Sequence, residues 1–114
     1  MKEFKMNSDL ECPIDISSDG KSAHSVIVEF LHSNGIADTG GCKAFYSPDE
    51  WQMRGEQYGL ESNLIVVHDG GDHAVAFNWD YEDYESIDKM QQALSQIGMF
   101  AEQCTSWYSA IYNR

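Results

Sequence analysis

The centre of the chain reads Leu64-Ile65-Val66-Val67-His68-Asp69-Gly70-Gly71-Asp72-His73-Ala74-Val75-Ala76-Phe77. Two apolar runs flank a short polar turn, and each run is apolar on both of its alternating faces, which is typical of strands covered on both sides. The Gly70-Gly71 pair suits the positive φ angles of a tight hairpin turn. The stretch therefore predicts two adjacent antiparallel strands, over residues 64–68 and 73–77.

A first helix is predicted before this hairpin by the spacing of apolar residues. The chain repeats such residues at intervals of three and four, which lays one apolar stripe along a helix: Ala23, Val26, Ile27, Phe30 and Leu31. Gly35 can end the helix in the left-handed conformation. The predicted helix covers residues 22–34.

A second helix is predicted by a start signal, the sequence Ser47-Pro48-Asp49-Glu50. It has the pattern of a capping box, with proline at the first helical position, where no backbone donor is missed. The helix is expected from residue 48 to about 58, with Trp51 and Tyr58 on its inner face and Gly59 as its stop.

The third helix is expected over residues 80–97, with Asp80 as N-cap and an apolar stripe from Tyr84 through Ile87 and Leu94 to Ile97. Three further segments are extended: a lead-in over residues 1–20, in which Ile14 and Ile16 alternate, a short strand over 42–46, and a return to the sheet over 100–112. The 114 residues are expected to form one α+β domain, with three helices packed on a small, mostly antiparallel sheet.

The charge of the chain is strongly negative, with 19 Asp and Glu against 7 Lys and Arg and a net charge of −12. Such an excess repels nucleic acid and anionic membranes and attracts basic protein surfaces. The apolar runs are far shorter than the ~20 residues that span a bilayer, and the first residues lack the apolar stretch of a signal peptide. We therefore expect a cytoplasmic protein that binds a basic partner and neither nucleic acid nor membrane.

The densest acidic stretch is Trp79-Asp80-Tyr81-Glu82-Asp83-Tyr84-Glu85-Ser86-Ile87-Asp88. Acids near a helix start can serve stability alone through the helix dipole, which would account for Asp80, Glu82 and Asp83. Glu85 and Asp88 are expected beyond the first turn. Aromatic residues among charges are typical of interface hot spots. The predicted partner-binding residues here are Trp79, Tyr81, Glu82, Asp83, Glu85 and Asp88, with a solvated helix face as the alternative.

The central turn holds four potential metal ligands, His68, Asp69, Asp72 and His73. A regular two-residue hairpin would put the two aspartates on one face and the two histidines on the other, so the four cannot converge on one ion. A zinc site would need His24, His32 or Cys104 in addition. We predict no metal, cofactor or catalytic residue here, and we expect Asp69 and Asp72 to add to the partner-binding surface.

Four segments resemble small proteins carried by phages and other mobile elements: Tyr46-Ser47-Pro48-Asp49-Glu50-Trp51, Arg54-Gly55-Glu56-Gln57-Tyr58-Gly59, Val66-Val67-His68-Asp69-Gly70-Gly71-Asp72 and Glu102-Gln103-Cys104-Thr105-Ser106-Trp107-Tyr108. In size and acidity the whole chain is similar to anti-CRISPR and anti-restriction inhibitors. The resemblance implies a non-catalytic inhibitor that occupies the basic nucleic-acid surface of a nuclease complex. It carries no active-site motif.

Mimicry of nucleic acid would require the acids to gather on one face, which the third helix together with Asp49, Glu50 and Glu56 could supply. Two other functions remain open. A toxin-immunity protein that binds a basic nuclease toxin would have the same size and acidity. A small metal-dependent hydrolase would use His68, Asp69, Asp72 and His73.

Overall fold

The computed structural model describes residues 8–114, so residues 1–7, which begin the predicted lead-in, lie outside the described residues. The helices and strands follow one another as α1 Ser18–Ser33, β1 Phe45–Tyr46, α2 Pro48–Met53, β2 Leu64–Val67, α3 Tyr84–Ser95, β3 Met99–Gln103 and β4 Tyr108–Asn113. Short 3₁₀ helices occur at Ser8–Leu10, Asp72–Ala76 and Trp79–Tyr81.

The four strands form one sheet in the order β1-β2-β4-β3, and every neighbouring pair is antiparallel. In the middle of the sheet, Val66 of β2 lies opposite Phe45 of β1 on one side and Ser109 of β4 on the other. The predicted α+β class, with three helices and a small antiparallel sheet, is confirmed.

Strand β2 is buried on both faces, as its apolar pattern predicts. Leu64 and Val66 belong to a first core that includes residues of α1 and α3. Ile65 and Val67 belong to a second core around Trp51 of α2. Because alternate side chains of a strand point to opposite faces, α1 and α3 cover one face of the sheet and α2 covers the other.

The predicted hairpin between residues 64–68 and 73–77 is wrong. Residues 73–76 belong to a 3₁₀ helix, and β2 pairs with β1 and β4 instead. A tight type I′ hairpin needs positive φ at both central residues, whereas Gly70 has a φ of +80° and Gly71 a φ of −100°. The segment still buries Ala76 and Phe77 in the first core, so its apolar residues are used for packing without joining the sheet.

Helix α1 starts earlier than its apolar stripe indicates. Its N-cap is Ser17, whose hydroxyl accepts a hydrogen bond from the Gly20 amide at 3.0 Å. Gly20 itself is buried, and a Cβ at this position would overlap Ile16. At the other end Gly35 has a φ of +70°, which confirms the predicted left-handed stop.

Helix α2 begins as predicted and ends early. The Ser47 hydroxyl accepts from the Glu50 amide at 3.0 Å, and the Glu50 carboxylate accepts from the Ser47 amide at 2.9 Å, so the capping box is confirmed. The chain leaves the helix at Gly55, whose φ is +86°, rather than at Gly59. Tyr58 is 56 % exposed, so its predicted place on an inner helix face is wrong.

The extended segments are shorter than predicted. The predicted strand over residues 42–46 reduces to β1, and residues 100–112 contain the turn between β3 and β4 rather than one strand. Residues 11–17 hold no strand, and Ile14 is 97 % exposed. Among the helices of residues 8–114, none is both long and apolar enough to cross a membrane.

The capping box gives a test of the fold. Besides accepting from Glu50, the buried Ser47 hydroxyl donates to the Asp15 carboxylate at 3.0 Å. We expect Ser47→Ala to lower the free energy of unfolding by about 1–2 kcal/mol, because a helix donor and a carboxylate both lose their partner. Urea denaturation measures the change. Ser25→Ala, at an exposed site of α1, is the control, and an equal effect of both variants would contradict the assignment.

Candidate partner-binding surface

Three aromatic side chains within six residues are exposed just before and at the start of α3. Trp79 is 50 % exposed, Tyr81 53 % and Tyr84 54 %. The Trp79 and Tyr84 rings contact each other, with centroids 5.8 Å apart. We call these three residues, together with Asp80, Glu82, Glu85 and Asp88, the aromatic-acidic surface. It contains two predicted aromatic residues and one, Tyr84, that was expected to face the core.

Helix α3 starts later than predicted, and Tyr84 is its first residue, about a quarter turn around the helix from the buried face of Ile87 and Leu94. Glu82 adopts the left-handed conformation, with a φ of 59°, which interrupts the helical path. Asp83 then caps α3, and its carboxylate accepts from the Ser86 amide at 3.1 Å and the Ser86 hydroxyl at 2.9 Å. The predicted N-cap, Asp80, lies in the preceding 3₁₀ helix. The spacing of Asp83 and Ser86 is the sequence signal that could have located this start.

A network of side-chain amides fixes Trp79 on the sheet. The Trp79 amide donates to the Gln103 side-chain oxygen at 3.0 Å, and the Gln103 side-chain nitrogen donates to the Asn78 side-chain oxygen at 3.1 Å. Asn78 in turn donates to the Ser106 carbonyl at 3.0 Å. The backbone before α3 is therefore tied to β3 and to the turn that follows it. Sequence reasoning missed this network.

The acids of this region differ in what they do. The Asp83 carboxylate serves as the N-cap of α3 and accepts its hydrogen bonds from Ser86. Glu85 lies in the first turn of α3, where it pairs with Lys89 at 3.0 Å. The prediction that Glu85 lies beyond the first turn is therefore wrong. Asp88 does lie beyond the first turn, as predicted. Within residues 8–114, neither Glu82 nor Asp88 forms an ion pair. These two acids are exposed, so a partner can reach them.

A cleft of about 470 Å³ lies beside Trp79, along the outer edge of β3. The ring of Trp79 and the side chains of Phe100 and Glu102 line it. Gln91 of α3 also lines it, and its side-chain amide donates to the Ala101 carbonyl at 2.7 Å and accepts from the Ala101 amide at 2.9 Å. Trp79 was a predicted partner-binding residue, whereas the cleft itself was not predicted, because only the folded sheet brings its lining residues together.

The second predicted binding element, Asp69 and Asp72, lies in the turn after β2, and both residues are exposed. This turn contacts the loop of residues 38–42: the Asp72 amide donates to the Asp38 carbonyl at 2.7 Å. Gly71 lies against the ring of His73, and a Cβ at Gly71 would come within 2.3 Å of it. The turn is thus closely packed, and its two aspartates are separate from the amide network that holds Trp79.

His68 and His73 are both fully buried, with ring centroids 6.5 Å apart. His73 donates from Nε2 to the Val67 carbonyl at 2.8 Å, and His68 Nε2 contacts the Ser109 hydroxyl at 3.1 Å. Within residues 8–114 the Nδ1 atoms of both rings have no hydrogen-bond partner. Burial lowers the pKa of His68 to about 4, with a smaller contribution from the charge of His73, and burial also lowers the pKa of His73.

The alternative function of a metal-dependent hydrolase would need a set of metal ligands that the described part of the chain does not bring together. There, no three side chains of His, Cys, Asp or Glu come close enough to hold a metal ion. The additional ligands that a zinc site would need, His24, His32 or Cys104, are therefore not gathered around His68 and His73. Both histidines instead contribute to packing, since the His68 ring stacks on Phe77 at a centroid distance of 5.8 Å.

The acids that were expected to share one face lie on opposite sides of the sheet. Helix α3 covers the first core and α2 the second. The acids in and after α2 are also partly neutralised, because Glu50 of α2 pairs with Lys43 at 3.4 Å and Glu56, which follows α2, pairs with Arg54 at 3.8 Å. The single acidic face proposed for nucleic-acid mimicry is therefore wrong in this form.

Comparisons with known proteins add no assignment: no family model, no curated protein and no solved structure matches the chain. The resemblance to phage-borne inhibitors stays a prediction.

The buried histidines predict a loss of stability in acid. The pKa of His68 is lower in the folded chain than its ordinary value of 6.5, so the unfolded chain binds the proton first as the pH falls. The stabilisation is complete above pH 6.5 and is lost as the pH falls towards about 4. We expect a decrease of up to about 3 kcal/mol from this group, measured by urea denaturation across that range.

Two variants separate this effect from a general weakening of the core. His68→Gln should unfold with a smaller pH dependence, since the amide does not titrate. Val66→Ala, in the same core, should lower stability by about 2 kcal/mol at every pH. A His68→Gln protein with the pH dependence of the unchanged chain would assign the acid sensitivity to other groups.

Proposed function

We propose that the protein is a non-catalytic, cytoplasmic inhibitor that binds a basic, nucleic-acid-handling protein through the aromatic-acidic surface. The observation that supports this most is the exposure of Trp79, Tyr81 and Tyr84, each at least half exposed, near Glu82 and Asp88, which form no ion pair within residues 8–114. Aromatic anchors surrounded by charge are typical of binding hot spots, whereas acids alone are typical of any solvated helix.

The aromatic side chains can supply affinity. An aromatic residue buries 150–250 Å² when fully covered, so each half-exposed ring of this surface can still bury roughly 100 Å² against a partner. At about 25 cal/mol per Å², that corresponds to about 2.5 kcal/mol for each ring before the costs of association. The amide network around Asn78 and Gln103 already orders Trp79, which reduces the entropy lost on binding.

The charge of the surface can supply steering and selectivity. Glu82 and Asp88 are exposed and unpaired within residues 8–114, and the chain as a whole has a net charge of −12. A field of this sign accelerates encounter with a basic protein and repels acidic ones. We therefore favour a specific protein interface over mimicry of a nucleic acid, since α2 and α3 present their acids on opposite faces of the sheet.

An immunity protein for a basic nuclease toxin would use the same surface and the same physical interactions. The identity of the partner distinguishes the two functions: a nuclease complex of a defence system supports the inhibitor, and a single toxin supports the immunity protein. A metal-dependent hydrolase is disfavoured, because His68 and His73 are buried and no three potential metal ligands meet within residues 8–114.

The proposal is tested by capture of a partner on immobilised protein from a host lysate at low salt, with identification by mass spectrometry. We expect a basic, nucleic-acid-handling protein whose capture decreases at high salt. Glu82→Lys/Asp88→Lys should reduce the association rate of the purified partner at least about tenfold at low salt, because steering charges are reversed. The reduction should shrink where salt shortens the Debye length to ~8 Å.

The matched control is Glu11→Lys/Glu29→Lys, which reverses two exposed acids away from this surface and changes the net charge equally. Its partner binding should stay within about twofold of the unchanged protein. Equal losses in the two double variants would show that only net charge matters, and the absence of any basic protein among the captured partners would contradict the proposal.

A second expectation concerns nucleic acid itself. Because the net charge is −12 and the seven basic residues are scattered along the sequence, we expect no shift of duplex or single-stranded DNA or RNA in a gel at low salt. Saturable binding at micromolar protein would contradict the assignment of a protein partner.

A further inference from the structure

We infer that the cleft between Trp79 and the edge of β3 receives an arginine side chain of the partner. This inference rests on the proposed function and names the chemical group that the aromatic-acidic surface would recognise. It follows from the shape of the cleft, from the way Gln91 occupies the strand edge, and from the chemistry of the side chains that line it.

The cleft can hold a side chain. Its volume is about 470 Å³, within the range of sites that bind small organic groups. Trp79 forms one wall, and it is held by the hydrogen bond from its amide to Gln103 and by contact with the Tyr84 ring. The edge strand β3 and the two residues after it, Cys104 and Thr105, line the rest of the cleft. The cleft is open to solvent, so a side chain can enter it from outside.

A partner strand is the first occupant to consider, because edge strands readily accept another strand. Here the position at Ala101 is already taken. Gln91 bonds both to the amide and to the carbonyl of Ala101, as a neighbouring strand would. A peptide that paired along β3 would have to break both hydrogen bonds. This arrangement favours a side chain that enters the cleft from outside over a strand that extends the sheet.

The side chains of the cleft favour a cation. Among residues 8–114, Glu102 is the one carboxylic acid that lines the cleft, and no basic side chain of this range lines it. Cys104 also lines it, but burial raises the pKa of its thiol to about 11, with a further contribution from Glu102, so it stays neutral. The face of an indole ring attracts cations more strongly than other aromatic rings do. Because side chains alternate along β3, Glu102 points to the face opposite Gln103, which holds Trp79, so a cation that contacts both Trp79 and Glu102 must sit on a long side chain that crosses the strand edge.

Arginine suits this pair better than lysine. Its planar guanidinium can stack on Trp79 and at the same time donate two hydrogen bonds to a carboxylate, whereas an ammonium acts as a point charge. The chain itself provides a comparable contact at this edge of the sheet. The guanidinium of Arg114 lies 5.8 Å from the ring centroid of Phe100, which also lines the cleft.

The test uses two small probes, N-acetyl-arginine amide and N-acetyl-lysine amide, and needs no partner. Each is titrated into ¹⁵N-labelled protein, and the indole N–H signal of Trp79, assigned with Trp79→Phe, is followed by NMR. We expect a saturable shift with the arginine probe at millimolar concentrations and at least threefold weaker binding of the lysine probe. Glu102→Gln should weaken binding of the arginine probe about fivefold or more.

Glu29→Gln removes one exposed acid of α1 and serves as the matched control, with binding expected to stay unchanged. The absence of a saturable Trp79 shift up to about 100 mM probe would overturn the inference. Equal binding by Glu102→Gln and Glu29→Gln, or equal affinity for the two probes, would also overturn it. Since the titration involves no partner, a negative result with capture of a basic protein intact would refute the arginine site and leave the proposed function standing.

Discussion

Burial of β2 on both faces is the constraint on which the other contacts depend. All four of its side chains are buried, and its backbone pairs with β1 and β4. The two cores therefore share one strand, and a change in either core acts on the same backbone. The end of β2 also positions the following turn, since the carbonyl of Val67 accepts from His73. From there the chain passes through the 3₁₀ helix directly to Trp79, so the candidate surface is anchored to the centre of the sheet.

Local sequence signals predicted the parts of the fold that depend on neighbours in the chain. The reciprocal bonds of Ser47 and Glu50, the left-handed Gly35 and the two-sided burial of β2 all follow from short patterns. The pairing of the strands does not follow from such short patterns. The apolar residues 73–77 are compatible with a strand or with a buried 3₁₀ segment, and the competition is decided by β4, which lies more than 30 residues further along the chain.

The candidate site likewise has features that the local sequence predicts and features that depend on contacts between distant residues. Its acids and the exposed Trp79 and Tyr81 could be predicted, because their clustering is visible in the sequence. The bond between Gln103 and Asn78 joins residues 25 positions apart, and no local pattern indicates it. The N-cap of α3 also lies three residues after the predicted one, at Asp83 rather than Asp80. Such shifts are ordinary when several polar residues, here Asp80 and Asp83, compete as N-cap.

The left-handed backbone at Glu82 has a consequence for engineering. A residue with a side chain costs roughly 1 kcal/mol or more in this conformation, which glycine adopts freely. A procedure that optimises thermostability would therefore select Glu82→Gly early, and it would remove an exposed charge from the segment between Trp79 and α3. Stability and surface charge are in conflict at this position, and a thermostabilised variant of this chain is best made with residue 82 held constant.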